Sequence, residues 1–299
     1  MMDIRNKSII VCGIVRDAEE GLRRNIPVVN EVLGHFCDYR VIIYENDSVD
    51  STKELLKEWH AVNPEKIHVS INDTDKAKTI PTANLTPGVN PFFSHRRIDK
   101  MARIRNHYFD YIKEQGWTAD YLMIVDLDVA KLDANAILSS YADCVPQWDA
   151  VTAFGYSTSP KWFKRRYHDS FALTLWEDRN RPQTEEMIVK NSSRLGSLKV
   201  SDNWVRVASA FGGVAIYRFE AIQGLRYTEP AIDNDDPCVE TRCEHYSIYK
   251  QMIERGYDKI YINPAMILKY QNLTMKTFWN SLHQSTFLGY YLKKLGLKK

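Results

Sequence analysis

The 299-residue chain has five cysteines (Cys12, Cys37, Cys144, Cys238 and Cys243) but no CxxC pair. Neither a zinc knuckle nor a disulfide framework is therefore suggested. Charge of one sign is lacking as well: the formal net charge is +2, which argues against nucleic acid as the main partner. No apolar run approaches the roughly 20 residues that a membrane span needs. The apolar stretch within MMDIRNKSIIVCGIV is too short for a secretory leader and sits at an expected first strand. Together these absences lead us to expect a reducing, cytoplasmic setting. The length allows one large α/β core, and 17 Tyr with 7 Trp would suit a cleft that stacks sugars.

The most informative stretch is Tyr121 to Asp128, YLMIVDLD. Leu122 to Val125 form a short apolar run without alternation, as in a strand buried on both faces in a mostly parallel sheet. Such sheets bind ligands beyond the carboxyl ends of their strands. Asp126 and Asp128 arrive there one residue apart and offer oxygen ligands to Mg2+ or Mn2+. Taken alone, the triplet could equally end a strand and cap the next helix.

The rest of the chain supplies a matching frame. Strands are expected at Ser8–Val15, Arg40–Tyr44 and Ile67–Ile71, with intervening helices opening at Arg16 and after Asp50-Ser51-Thr52. That alternation implies a doubly wound parallel sheet. Residues 72–95 read as a long polar loop. A helix over Arg96–Glu114 carries Met101, Ile104, Tyr108 and Ile112 as its core face, with Arg103, Arg105 and Asn106 off that stripe. Further on come a helix at Ala134–Ala142, a strand at Ala150–Phe154 and an irregular, hairpin-bearing insert over 157–204. A strand then follows Phe211-Gly212-Gly213, a helix opens at Cys243-Glu244-His245, and strands are expected at Lys259–Pro264 and Ala265–Tyr270.

Four groups of residues could carry chemistry. Arg16-Asp17, Glu45-Asn46-Asp47 and Asp126/Asp128 follow three strands and should share one edge. Acids there can accept hydrogen bonds from a nucleoside, and an arginine can pair with phosphate. Arg103 and Arg105 suit a diphosphate, or else form a solvated helix face. Gly212-Gly213 permits close approach of a ligand, or makes a tight turn. Glu244 could serve as a base, and His245 could ligate metal or move a proton, although a helix cap with a satisfied histidine is an equally ordinary reading. His283 is a second candidate metal ligand.

In this order the elements resemble a GT-A-fold, nucleotide-sugar-dependent glycosyltransferase. Tyr44–Glu54 and Met101–Asn106 are similar to the fungal capsule-associated α-1,3-mannosyltransferase family. The resemblance implies a GT-A-like, Rossmann-type, mostly parallel central sheet flanked by helices: one domain over residues 1–271, with an irregular insert, and a C-terminal helical extension over 272–299. It further implies that Asp126 contacts the donor ribose and that Asp128 holds Mn2+ or Mg2+ on the diphosphate of a UDP- or GDP-sugar. Arg16, Glu45, Asp47, Arg103 and Arg105 would serve the donor, and Gly212 and Gly213 the acceptor side. The chain departs from the pattern at two places. His245 stands where inverting members carry a catalytic Asp, and Tyr270-Gln271 stands where a metal-binding His is common. Glu244 and His245 thus become the catalytic candidates, and His245 or His283 the third metal ligand.

The expected acceptor is a saccharide or lipid-linked saccharide. The segment Phe278–Lys299, with Lys293, Lys294, Lys298 and Lys299, could rest as a basic amphipathic helix on an anionic membrane, or equally pack on the domain as a C-terminal helix with a solvated tail. Two alternatives are kept. A haloacid-dehalogenase-type phosphatase also places DxD after an apolar strand, but usually at the start of the chain. A non-catalytic carbohydrate-binding protein could retain the fold.

Overall fold

A computed structural model describes residues 4–73, 91–159, 164–230 and 236–272. His283 and nearly all of the 272–299 extension lie outside the described residues. So do most of the 72–95 loop and most of the acidic stretch before Cys238.

Strands β1 (Ser8–Val15), β2 (Asp38–Asn46), β3 (Ile67–Asn72) and β4 (Tyr121–Val125) build a parallel half-sheet in the order β3-β2-β1-β4. All five β4 residues are buried, and alternate side chains along these strands feed two separate cores. Ile10, Cys12, Leu122 and Ile124 enter one core, while Ile9, Val11, Met123 and Val125 enter the other. This division is why the apolar runs are continuous rather than alternating. Helices α1 (Glu19–Leu33), α2 (Thr52–Val62) and α4 (Ala134–Leu138) contribute to the second core; α3 (His95–Glu114) contributes to the first.

Beyond β4 the sheet becomes mixed. Strands β5 (Ala150–Thr158), β8 (Val205–Ser209), β9 (Val214–Arg218) and β10 (Ile260–Lys269) continue it, together with the short β6 (Arg165–Tyr167) and β7 (Thr174–Leu175). Strand β9 runs antiparallel between β4 and β5, whereas β5 and β10 are parallel. The hairpin expected in the insert is present as β5–β6. That insert also holds a helix, α5 (Glu185–Leu195), which was not expected from the sequence. It is capped by Thr184, whose hydroxyl accepts the Met187 amide at 3.3 Å. The short α6 (Phe219–Ile222) and the longer α7 (Glu244–Glu254) complete the described helices.

The two strands expected over 259–270 are one. Strand β10 runs through both, with its register shifting between Asn263 and Ile267. Pro264 lacks a ladder donor, and Asn263 takes over locally. Its side-chain amide donates to Ser139 and Ser140 at 3.0 and 3.1 Å, and its carbonyl accepts from the Ala265 amide at 2.9 Å.

One side chain ties α1 to the turn that follows β4. Buried Asn25 donates to the carbonyls of Leu127 and Val129, both at 2.8 Å, and its own side-chain oxygen lies 3.4 Å from the Leu132 amide. Gly21 lets the helix approach this closely: a Cβ there would lie 2.5 Å from the Leu127 carbonyl oxygen and 2.6 Å from Asp128 Cα. Asn25→Ala strands two buried carbonyls and is expected to cost about 1–3 kcal/mol. A lowered urea midpoint at unchanged m-value checks this; an unchanged midpoint would mean that the clamp is idle.

Candidate active site

A cavity of about 620 Å3 opens at the carboxyl ends of β1, β2 and β4. The three strand tips supply Arg16, Asn46, Asp126 and Asp128. Helix α3 adds Arg97, Lys100 and Arg105, and α7 adds Glu244 and His245. The expected shared edge is therefore present.

Arg16 is half-buried, and one of its terminal nitrogens, Nη2, has no hydrogen-bond partner among the described residues. Its Nε lies 4.0 Å from the Asp17 carboxylate. Asp17 and Asp47 both adopt left-handed backbone, with φ of 48° and 57°, so the first two strand tips turn sharply. Cross-links hold these turns: Asp17 N–H donates to Ser48 Oγ, and Val49 N–H to Asp17 Oδ1. Asp50 accepts from the Thr52 and Glu19 amides, which makes it a cap for two helices.

Glu45 is fully buried, and one of its oxygens accepts the Ser48 amide at 2.7 Å while the other has no partner among the described residues. Asp47 is buried and accepts from the Asn46 side chain at 3.2 Å. Neither carboxylate lines the cavity; Asn46, between them, does.

Asp126 is nearly buried and donates its backbone N–H to the Gly213 carbonyl at 2.9 Å. Its carboxylate accepts from the Tyr270 hydroxyl at 2.7 Å. Burial pushes its pKa up to about 7, with Asp128 and Asp169 adding to the rise and Arg105 opposing it. Asp128 opens into the cleft. Tyr270, standing where a metal-binding histidine was looked for, is a donor to Asp126 and stacks on His168 at 3.7 Å.

The arginines of α3 differ from the sequence reading. Arg103 is exposed and pairs with Asp99 one turn away, at 2.9 Å, which is the solvated-face alternative. Arg105 and Asn106 are not off the core face but buried within it, alongside Ile98, Ala102 and Tyr108. The helix is rotated relative to the expected stripe, so Met101 and Ile104 line the cavity instead. Arg105 pairs with Glu244 at 3.0 Å and lies over the Phe211 ring. Asn106 exchanges two hydrogen bonds with the Tyr227 backbone. The other cations that line the cavity from this wall are presented one or two turns earlier, by Arg97 and Lys100.

Glu244 is buried. Burial alone would raise its carboxyl, but the charge of the neighbouring Arg105 outweighs that and holds it below the ordinary carboxylate range. His245 is itself pushed down to about 3, by burial and then by Arg105. At neutral pH the imidazole is therefore uncharged, and Arg105 is the cation that holds Glu244 ionised. Both His245 ring nitrogens are buried without a hydrogen bond among the described residues, and the ring stacks on Phe211 at 4.1 Å.

Gly212 and Gly213 form a positive-φ turn (67° and 95°) pressed against β5. A Cβ on Gly212 would sit 2.3 Å from the Ala153 carbonyl oxygen, so backbone packing already requires glycine there.

Asp169 was not singled out in the sequence because it lies in the insert without a motif around it. It is half-buried and lines the cavity. Burial, then Glu244, pushes its pKa up to about 6, with Arg105, Arg97 and the Gly212 amide opposing.

The family described as Cryptococcal mannosyltransferase 1 matches residues 11–248, a span that includes every site residue above except Tyr270. The chain belongs to this family. A cryptococcal mannosyltransferase 1 family member with a GT-A-like fold is a glycosyltransferase-type enzyme, and the phosphatase alternative loses its footing. Its DxD strand is also the fourth of the sheet's strands in the chain rather than the first. No curated protein matches the chain.

Among solved structures, it is similar to the mannosyltransferase PcManGT from Pyrobaculum calidifontis, solved with GDP-Man and Mn2+. The TM-score is 0.50 and the identity 10%, covering 100% of this chain and 67% of that one. It also matches residues 1–349 of S. aureus TarS (TM-score 0.43, 10% identity, 93% of this chain and 64% of that one). A third is mannosyl-3-phosphoglycerate synthase from Rubrobacter xylanophilus (TM-score 0.46, 10% identity, 98% and 76%). The chain spans about two thirds of the length of the first two structures. At these identities the likeness concerns the fold.

Among the described residues, no three His, Cys, Asp or Glu side chains gather into a metal cage, so His245 does not join Asp126 and Asp128 in one. A cation bound mainly through substrate phosphates needs only one or two carboxylates, and Asp128, open to the cavity beside Asp126, fits that demand. No helix among the described residues is long and apolar enough to cross a membrane.

Proposed function

We propose that the protein transfers a hexosyl group, mannosyl in the first instance, from a UDP- or GDP-linked donor to a hydroxyl of a saccharide or lipid-linked saccharide, in the synthesis of surface polysaccharide or glycoconjugate. The observation that carries this reading is the joining of Asp126 and Asp128 with Arg16, Arg97 and Lys100 around one cavity. The family name and the GDP-Man and Mn2+ in the Pyrobaculum structure favour GDP-mannose with Mn2+ as the first pair to test.

In this reading Asp128 holds Mn2+ or Mg2+ and Asp126, oriented by Tyr270, receives the ribose. A cation bound there would supply Lewis-acid stabilisation of the departing diphosphate. Arg16, Arg97 and Lys100 share the phosphate charge, the role first assigned to Arg103 and Arg105. Glu45 and Asp47, buried behind the cavity wall, hold the β2 tip that presents Asn46 toward the nucleoside, and Gly213 backs the acceptor side. Glu244, ionised and tied to Arg105, is a poor proton acceptor and acts as a positioning residue, with His245 packed beside it. Asp169, titrating near neutrality, is matched to taking a proton from the acceptor hydroxyl.

The test is product analysis with GDP-mannose, UDP-sugars and Mn2+ against a panel of saccharide acceptors. Acceptor-dependent release of nucleoside diphosphate is expected. Inorganic phosphate from simple phosphomonoesters, with no nucleoside diphosphate, would overturn the reading in favour of the phosphatase.

A further inference from the structure

Helix α7 presents Glu244 and His245 to the donor cavity, but its other face borders a second, unrelated cleft of about 660 Å3. Lining it are Arg179, Glu229, Arg242, Tyr246, Lys250 and Glu254. Arg242 is the unusual member. It is only 5% exposed, and a desolvated guanidinium normally has a carboxylate beside it. Here one nitrogen, Nη2, donates to the Arg181 carbonyl at 2.5 Å, and the ring of Tyr246 lies under the guanidinium at 4.3 Å. Nitrogen Nη1 is buried with no hydrogen-bond partner among the described residues.

Among the described residues, the acids nearby do not fill the gap. Glu229 is paired with His95, and Glu254 is exposed on the last turn of the helix. Arg179 and Lys250, both exposed, place two more cations on the rim. Arg179 spends its polar contact on the Trp176 carbonyl.

We infer that this cleft is an anion-binding site, distinct from the donor cavity, in which Arg242 receives a phosphate or carboxylate group carried by a sugar-sized ligand while Arg179 and Lys250 close on it from the rim. A guanidinium fixed on one side by a carbonyl and below by an aromatic ring keeps Nη1 for a charge-assisted hydrogen bond to an oxyanion.

The test is calorimetric titration with mannose 6-phosphate, glucuronate, inorganic phosphate and neutral mannose. Saturating GDP and Mn2+ are kept present so that the donor cavity is filled. Saturable binding of at least one anionic probe, without binding of mannose, is expected. The phosphate and carboxylate arms then identify which group the cleft takes. Arg242→Met should weaken that binding about tenfold or more, the loss of one charge-assisted hydrogen bond, and Lys250→Ala should weaken it severalfold. If Arg242→Met does not fold, Lys250→Ala combined with Arg179→Ala carries the test. The inference is overturned if no anion binds, if these variants bind as the wild type does, or if raising GDP displaces the probe competitively. None of these readouts depends on sugar transfer, so failure here leaves the glycosyltransferase reading standing.

Discussion

Asp128→Asn is expected to lower kcat/KM for sugar transfer by about 10²–10³-fold, the several kcal/mol that charge stabilisation of a leaving diphosphate supplies. The amide matches the carboxylate in size but carries no charge. Asp128 opens to the cavity rather than into the core, so the urea midpoint should stay near that of the wild type. The loss should also be accompanied by a higher Mn2+ concentration for half-maximal rate. Kinetics across a Mn2+ titration check both points, and full transfer activity in this variant would remove the central role given to Asp128.

The second large effect concerns Arg105 and Glu244. Both are buried and bonded at 3.0 Å, and removing one partner leaves an uncompensated charge. Arg105→Met or Glu244→Gln should therefore cost about 3–5 kcal/mol of stability, whereas an apolar replacement of both should recover much of it. The sign with pH follows from Glu244, whose folded pKa lies below the reference 4.5. Its contribution is present above about 4.5 and is lost as pH falls through that lowered value. Glu244→Gln should flatten that part of the acid limb. Urea melts of the wild type and variant between pH 5 and 3 measure this; parallel curves would show that the carboxylate adds nothing.

How far the chain could be read in advance depended on whether a residue's neighbours are local. Strands β1 to β4 were legible because continuous apolar runs have one economical home, between two layers of helices. Asp126 and Asp128 were legible because a strand's end fixes where the next residues emerge. Arg105 was not. Its place inside α3 depends on Glu244, which is 139 residues away, and a charged residue interrupts the apolar period that would otherwise have located the core face. Helix α5 was hidden by the polar residues Asn191 and Ser192 on its buried side. Asp169 became visible only once the Gly212 turn and Glu244 stood beside it. The glycine pair is legible, but the backbone crowding of Gly212 against β5, which requires glycine there, arises from pairing that no local pattern announces.

The Asn25 clamp has a practical corollary. The residue holding both the Leu127 and Val129 carbonyls belongs to a helix that begins more than a hundred positions earlier in the chain. If Asp128 holds a cation as proposed, a shift of the turn around it would be passed to α1 through that side chain. Amide exchange in α1 should slow when nucleotide and manganese are added, giving a reporter of occupancy far from the chemistry, and Asn25→Ala should silence it.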